Sequence, residues 1–212
     1  MDLISSLVEQ YALKYTSPED PVLVELDQFT RSYHAEHHML SGALQGKFLE
    51  MVSHMIRPRR ILEIGTFTGY SALCLVKGLL SDGHLHTIEK REEEAVVARR
   101  FFAKAGKEDQ ITLHVGDAKT IIPTLKEDWD LVFIDADKPG YIEYFNLIFP
   151  QLRTNGFILA DNIFFHGQVL EEEVKGKNAK AIQAFNEFIN EQTGIDKTIL
   201  TLRDGLFLIR KC

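Results

Sequence analysis

Residues 61–71 read ILEIGTFTGYS, and this stretch decides the fold. It opens as a short apolar run, which is typical of a buried strand. Gly65 and Gly69 follow and would let the backbone turn tightly and a ligand approach the main chain. Three residues separate these glycines, so the turn is not G-x-G-x-x-G. A charged Glu63 beside the turn would repel a dinucleotide's pyrophosphate and favour a ligand with an ammonium group. An ordinary strand-to-helix turn is an equal alternative.

Strand patterns alternate with helix patterns on both sides of this stretch. Strands are predicted over residues 61–64, 84–89, 111–115, 131–134 and 156–160, and helices over 71–80, 91–105, 118–125, 141–152 and 179–191. This alternation favours a doubly wound α/β fold, with a parallel sheet covered on both faces. Residues 198–202 and 206–209 flank Arg203-Asp204-Gly205, which is a hairpin signal. The C-terminal strand is therefore predicted to be antiparallel.

The part before residue 58 is predicted to be helical. Leu3, Leu7, Val8 and Tyr11 recur at helical spacing, and further helices are predicted over residues 22–38 and 44–56. A length of 212 residues suits one domain. We therefore expect a single domain over 1–212, with N-terminal helices in 1–57 and the sheet core in 58–212.

Composition and charge narrow the class of protein. Hydrophobic residues make up 45% of the chain, which argues against disorder. The net charge of −7 makes nucleic acid an unfavourable partner. No run approaches the roughly 20 apolar residues of a spanning helix, so no membrane partner is expected. With no secretory signal visible and only Cys74 and Cys212 as cysteines, we expect a cytoplasmic protein.

Candidate ligand-binding residues follow the strands, because ligands bind beyond the carboxyl ends of parallel strands. Glu89 ends the second predicted strand and is placed to bind ribose hydroxyls; the alternative is a solvated carboxylate. Asp117 follows the third strand. It could cap the next helix or accept a hydrogen bond from an adenine amino group, and both interpretations are compatible.

Three oxygen donors follow the fourth and fifth strands. Asp135, Asp161 and Asn162 would meet at neighbouring strand ends, and such hard ligands fit Mg²⁺, Ca²⁺ or Mn²⁺. Lys138 lies three residues after Asp135. An ammonium group beside a divalent cation should have a lowered pKa, which suits a general base. The alternative is that these are loop carboxylates paired with lysines, and for any one of the Asp residues taken alone this alternative is favoured.

At this point the chain resembles a known family. It is similar to the metal-dependent class I O-methyltransferases, in the bacterial branch related to caffeoyl-CoA O-methyltransferases, and more distantly to catechol O-methyltransferase. The resemblance runs from about Met39 to the C-terminus. The motifs that carry it are residues 62–71 (LEIGTFTGYS), 116–118 (GDA), 133–138 (FIDADK), 161–162 (DN) and 204–206 (DGL).

The resemblance implies a Rossmann-like methyltransferase sheet and S-adenosylmethionine as the cofactor. The cofactor-binding residues it implies are Met39, Ser41, Glu63, Gly65, Thr66, Ser71, Glu89, Asp117, Ala118 and Asp135. It makes Asp135, Asp161 and Asn162 the metal ligands, and Lys138 and Asp135 the catalytic residues. His166 stands where the plant enzymes usually have a substrate-contacting Asn, and Ser41 where they usually have Thr. These departures leave the acceptor open.

The reaction expected from the resemblance is methyl transfer to a phenolic hydroxyl of a catechol-like small molecule. A divalent metal would bind both oxygens of the diol, and Lys138 would take the proton. A nicotinamide oxidoreductase would need the missing G-x-G-x-x-G turn. The remaining alternatives are a metal-dependent phosphatase and a non-catalytic cofactor-binding protein. A homodimer is expected, because dimers are common in the family and residues 22–56 offer apolar helical faces.

Overall fold

The structure, a computed structural model, describes residues 5–212. Leu3 of the first helical pattern lies outside the described residues. The α-helices are α1 (Ser6–Lys14), α2 (Pro21–Tyr33), α3 (Gly42–Ile56), α4 (Tyr70–Leu75), α5 (Glu92–Lys104), α6 (Ala118–Ile121), α7 (Tyr141–Ile148) and α8 (Lys177–Glu191). The strands are β1 (Arg60–Ile64), β2 (His84–Glu89), β3 (Ile111–Val115), β4 (Trp129–Ile134), β5 (Leu152–Asp161), β6 (Ile195–Leu200) and β7 (Leu206–Lys211).

Within residues 5–212, seven strands form one sheet in the order β3-β2-β1-β4-β5-β7-β6. Strands β1 to β5 pair in parallel, while β7 runs antiparallel to both β5 and β6. In register, Ile64 pairs with Ile88 and Ile134, and Ile134 pairs with Ala160. The residues that follow β1, β2, β4 and β5 therefore lie along one edge of the sheet. The predicted doubly wound sheet with an antiparallel C-terminal strand is confirmed.

Helices cover the sheet on both faces. Ile61, Leu131 and Phe133 face a core shared with α2 to α5, and their neighbours Leu62 and Val132 face a core shared with α7 and α8. Alternate residues of the central strands thus enter opposite cores, which explains why β4 is apolar from Leu131 to Ile134. Among residues 5–212, no helix is both long and apolar enough to cross a membrane.

Several predicted element ends were wrong. The helix predicted over 22–38 ends at Tyr33, because His34 takes an extended backbone (ψ 124°) and its ring accepts a hydrogen bond from the Glu36 N–H at 3.1 Å. A 3₁₀ turn at His37–Met39 follows. This break leads the chain over the carboxyl edge of the sheet before α3 begins.

The C-terminal hairpin also differs in detail from its prediction. Strand β6 begins at Ile195 rather than residue 198, and β7 inserts between β5 and β6. The connection spans residues 201–205, with left-handed backbone at Arg203 (φ 49°) and Gly205 (φ 84°). Because β7 pairs with β5, this connection lies beside the end of β5, next to Asp161.

Candidate active site

The carboxyl edge of the sheet opens into a cavity of about 660 Å³. Ten of the residues predicted from the sequence line it, and they come from the ends of β2 and β5, from the segments that follow the strands and from the 3₁₀ turn before α3. They are Met39, Gly65, Glu89, Asp117, Ala118, Asp135, Lys138, Asp161, Asn162 and His166. The structure therefore brings the predicted cofactor, metal and substrate residues to one cavity.

Four other predicted residues lie behind the cavity wall. Ser41, Glu63, Thr66 and Ser71 are all buried and do not line the cavity. Burial raises the pKa of Glu63 to about 8, so the carboxyl is mostly protonated at neutral pH. The Glu63 carboxyl accepts a hydrogen bond from the Thr87 hydroxyl, and its interaction with an ammonium group stays a prediction.

Gly65 is required by the geometry of the turn. Its φ of +98° is a left-handed conformation, and a Cβ there would lie 1.9 Å from the backbone oxygen of Asp135. A side chain at this position would push the end of β1 away from the end of β4. The glycine thus keeps the predicted cofactor turn against the loop that carries Asp135 and Lys138.

The Glu89 carboxylate is held in one orientation at the end of β2. It accepts hydrogen bonds from the Phe67 N–H at 2.7 Å and the Arg91 N–H at 3.0 Å. The side chain is buried except for its face on the cavity, with the residue 6% exposed. A carboxylate fixed this way keeps lone pairs free for a pair of hydroxyl groups, as the sequence predicts for a ribose.

Asp117 caps α6, since its side chain accepts from the Lys119 N–H at 2.9 Å. It also lines the cavity together with Ala118, at the end of the cavity next to β3. The capping bond uses one oxygen, so the adenine interpretation stays compatible with it.

Lys138 is the centre of the polar network at the other end of the cavity. Its Nζ lies 3.1 Å from Asp135 Oδ1, 2.7 Å from Asn162 Oδ1 and 2.8 Å from the Tyr141 hydroxyl. Burial acts to lower the pKa of Lys138, but the Tyr141 and Asp135 oxygens outweigh it and hold the pKa above its usual range. The lowered pKa predicted from the sequence would require repulsion from a bound cation, which carries the same sign of charge as the ammonium group. It stays a prediction.

Asp161 completes the oxygen set. It is 2% exposed, and burial together with the Asp135 charge raises its pKa to about 6. Its Oδ1 accepts from the Asn162 N–H at 2.8 Å and its Oδ2 from Gln45 Nε2 at 2.6 Å. Asn162 has left-handed backbone (φ 57°), a conformation that asparagine tolerates better than most residues.

The donor set fits a hard divalent cation. Oxygens of Asp135 and Asn162 already converge on one positive charge, the Lys138 ammonium, with the buried Asp161 carboxyl beside them. Within residues 5–212, no group of three His, Cys, Asp or Glu side chains is arranged to hold a metal. The candidate set instead has two carboxylates and one amide oxygen, which are ligands that Mg²⁺, Ca²⁺ and Mn²⁺ accept.

His166 lies at the mouth of the cavity, on the loop after β5. Its side chain is 68% exposed, and its backbone N–H donates to Asp204 Oδ1 at 2.6 Å. Phe165 and His166 both have left-handed backbone (φ 45° and 57°), so this bond holds a strained turn in place. The His166 ring, with Nδ1 3.9 Å from Asp204 Oδ2, is exposed on the side where an acceptor would enter the cavity.

Sequence reasoning missed three residues of this network. Tyr141 follows Lys138 by three residues on one helical turn, and that spacing could have identified it. Gln45 reaches the site from α3 and lies 116 residues before its partner Asp161 in the sequence. Arg203 reaches it from the β6–β7 connection and lies 158 residues after its partner Gln45. No local pattern links residues so far apart in the chain.

Comparison with known proteins identifies relatives along almost the whole chain. The family described as O-methyltransferase matches residues 14–212. A catechol O-methyltransferase of Niastella koreensis is 36% identical over 162 residues, which cover 74% of this chain and 73% of that protein. A caffeoyl-CoA O-methyltransferase of Stellaria longipes is 30% identical over 222 residues, which cover 99% and 92% of the two chains. The crystal structure of the O-methyltransferase TomG from Streptomyces achromogenes in complex with SAM has a TM-score of 0.89 at 31% identity, with 97% of this chain and 96% of that chain covered.

Proposed function

The chain belongs to the O-methyltransferase family and is an S-adenosylmethionine-dependent enzyme, and on that premise we propose that it methylates a phenolic hydroxyl of a catechol-like small molecule with a divalent cation. One observation carries the proposal: Asp135, Asn162 and Lys138 meet within 3.1 Å, beside Asp161, in the cavity that Gly65 and Glu89 line. Family membership removes the phosphatase, oxidoreductase and non-catalytic alternatives.

The cofactor would lie along the ends of β1 to β3. Glu89 would accept both ribose hydroxyls, Asp117 and Ala118 would border the adenine, and Met39 would close over the cofactor from the opposite side. Glu63, Thr66 and Ser71 would act from behind the wall by holding the turn that carries Gly65, and Ser41 would act from the segment that follows Met39. Asp135, whose backbone oxygen lies next to Gly65, would border the point where the methionine end meets the acceptor.

Asp135, Asp161 and Asn162 would hold the cation, and their oxygens suit Mg²⁺, Ca²⁺ or Mn²⁺. The cation, when bound, supplies a Lewis acid that lowers the pKa of a phenolic hydroxyl and orients the diol. Lys138 would accept the proton, with its Nζ held in place by the Tyr141 hydroxyl at 2.8 Å. The cavity walls would hold the acceptor oxygen in line with the methyl group.

The acceptor would enter beside His166 and Phe165. Both residues line the cavity mouth, and His166 is exposed enough to contact the part of the acceptor that does not react. We assign acceptor preference to this loop.

Cys74 and Cys212 are both free, which agrees with a reducing, cytoplasmic setting.

We predict that Glu89→Ala binds S-adenosylhomocysteine much more weakly than the parent, by about 100-fold, since two hydrogen bonds to a charged group are lost. Isothermal calorimetry measures the change. Glu89→Gln is the matched control: it keeps one acceptor for the Phe67 N–H and should lose less affinity. Parental affinity in Glu89→Ala would remove the ribose assignment.

We predict that the protein is a homodimer. Tyr33, Met51 and Met55 on α2 and α3 are 78%, 53% and 71% exposed, and α1 buries none of its side chains. Exposed apolar helix faces of this kind favour association. Light scattering at micromolar concentration should give about twice the chain mass of 24.2 kDa. A mass of one chain would refute the dimer.

A panel of acceptors tests the proposed function. The Mg²⁺-loaded enzyme would be given S-adenosylmethionine with a labelled methyl group and a series of catechols, flavonoids and acyl-CoA phenols. Label should appear on at least one vicinal diol and be absent from its fully methylated analogue. A panel without any labelled diol, in a protein that binds the cofactor, would overturn the acceptor class.

A further inference from the structure

Arg203 ties three parts of the chain together at the edge of the cavity. Its Nη1 donates to the backbone oxygen of Leu40 at 2.9 Å, to that of Ser41, and to Gln45 Oε1 at 3.3 Å. Leu40 and Ser41 directly follow Met39, which lines the cavity. The guanidinium thus holds the segment that crosses the predicted cofactor site, here called the crossing segment (residues 36–41).

Gln45 connects Arg203 to Asp161 through two side-chain hydrogen bonds. A guanidinium can only donate hydrogen bonds, so the amide oxygen of Gln45 must face Arg203. Its NH₂ group therefore faces Asp161 and donates to Oδ2 at 2.6 Å. Gln45 is 1% exposed and lies on α3 among apolar side chains, where an amide without partners would be costly.

The carboxyl of Asp161 is fixed by two donors from opposite sides. Gln45 Nε2 occupies Oδ2, and the Asn162 N–H occupies Oδ1. Both donors require acceptor oxygens, so they fix the orientation of the carboxyl. The remaining lone pairs are left to the cavity.

We propose that Arg203 and Gln45 are positioning residues that connect the crossing segment to Asp161. Arg203 holds Leu40 and Ser41 and orients Gln45, and Gln45 orients the Asp161 carboxyl toward the cation site. The part that ends at Asp161 rests on the proposed function, while the part that ends at Leu40 and Ser41 does not depend on a metal.

The test compares Gln45→Met, which keeps the side-chain length, with Arg203→Met, which keeps the aliphatic part of the side chain; both substitutions remove the hydrogen bonds. Calorimetry would measure Mn²⁺ affinity with S-adenosylhomocysteine bound, and S-adenosylhomocysteine affinity in metal-free protein. Gln45→Met should weaken Mn²⁺ binding by about 10- to 100-fold, as is typical when a partner of a metal ligand is lost. Its S-adenosylhomocysteine affinity should stay within about two-fold of the parent, since the Gln45 side-chain hydrogen bonds go to Asp161 and Arg203 and not to the crossing segment.

Arg203→Met should lower the affinity for both Mn²⁺ and S-adenosylhomocysteine. The affinity for S-adenosylhomocysteine should fall by about 10-fold, because two carbonyl oxygens of the crossing segment lose their donor. The double variant should bind Mn²⁺ no more weakly than the weaker-binding single variant, because both residues act along one connection. Gln192→Met is the matched control, as the Gln192 side chain donates to the Phe188 backbone oxygen on α8, at 3.1 Å, and does not line the cavity. Thermal unfolding would confirm that each variant is folded.

Parental Mn²⁺ affinity in Gln45→Met, or additive losses in the double variant, would overturn the connection to Asp161. Parental S-adenosylhomocysteine affinity in Arg203→Met would overturn the hold on the crossing segment. A parent protein that binds no Mn²⁺ would instead refute the metal-dependent function, together with the part of the connection that ends at Asp161. The metal-free S-adenosylhomocysteine measurement would still decide the other part.

Discussion

Lys138→Met should lower kcat by about 10²- to 10⁴-fold, the usual contribution of a general base. The Lys138 Nζ is the group nearest to both Asp135 and Asn162, at 3.1 and 2.7 Å. A hydroxyl placed against those oxygens would meet this nitrogen first. Because most of the predicted cofactor residues lie at the ends of β1 to β3, the affinity for S-adenosylmethionine should change little.

The metal affinity of Lys138→Met should be unchanged or slightly improved, because a positive charge next to the ligands is removed. Lys197→Met is a matched control, since Lys197 is also hydrogen-bonded, to the backbone oxygens of Ile189 and Asn190, but far from the cavity. Single-turnover methyl transfer measures the chemical step directly. A Lys138→Met enzyme with parental kcat and full metal dependence would discard Lys138 as the base and leave the metal assignment standing.

Removing the divalent cation should abolish methyl transfer, with a loss of about 10³-fold or more, because Lewis-acid activation contributes several kcal/mol. The protein would be treated with EDTA, passed over a desalting column, and assayed with and without added Mg²⁺. Activity should return on addition of Mg²⁺, and Ca²⁺ and Mn²⁺ should be compared in the same assay.

Cofactor binding should survive the same treatment. Glu89, Asp117 and Ala118 lie at the ends of β2 and β3, away from Asp161 and Asn162 at the end of β5. Calorimetry on the metal-free protein should therefore give S-adenosylhomocysteine affinity within about ten-fold of the loaded enzyme. Loss of all cofactor binding would show that the cation also builds the cofactor site.

The position of the site could be predicted from the sequence because parallel strands run in the same direction, so their carboxyl ends lie at one edge of the sheet. Strands β1, β4 and β5 each contain a short apolar run, so their ends can be recognised locally, and all of these ends lie at the same edge. Asp135, Asp161 and Glu89 were found in this way, and the register of β1, β4 and β5 confirms that the first two lie on neighbouring strands. Lys138 followed from its spacing after Asp135.

Other features depend on tertiary contacts that no local pattern contains. Strand β7 lies between β5 and β6 because the hairpin folds back onto β5, and this places Arg203 beside α3. The break after Tyr33 depends on the His34 backbone and on the contact of its ring with Glu94, 60 residues away. The charge of Glu63 depends on burial beneath a turn whose depth only the folded structure shows.

Catechol and resorcinol compared as acceptors give the most direct measurement of the central claim. The two isomers differ only in whether the hydroxyls are on adjacent carbons, and only adjacent oxygens can both reach one cation held by Asp135, Asp161 and Asn162. In Mg²⁺, labelled methyl transfer to catechol should exceed transfer to resorcinol by about 100-fold or more, and EDTA should remove the difference by abolishing transfer to catechol. Equal transfer to both isomers, or transfer to catechol that persists in EDTA, would contradict metal-dependent methylation of a vicinal diol.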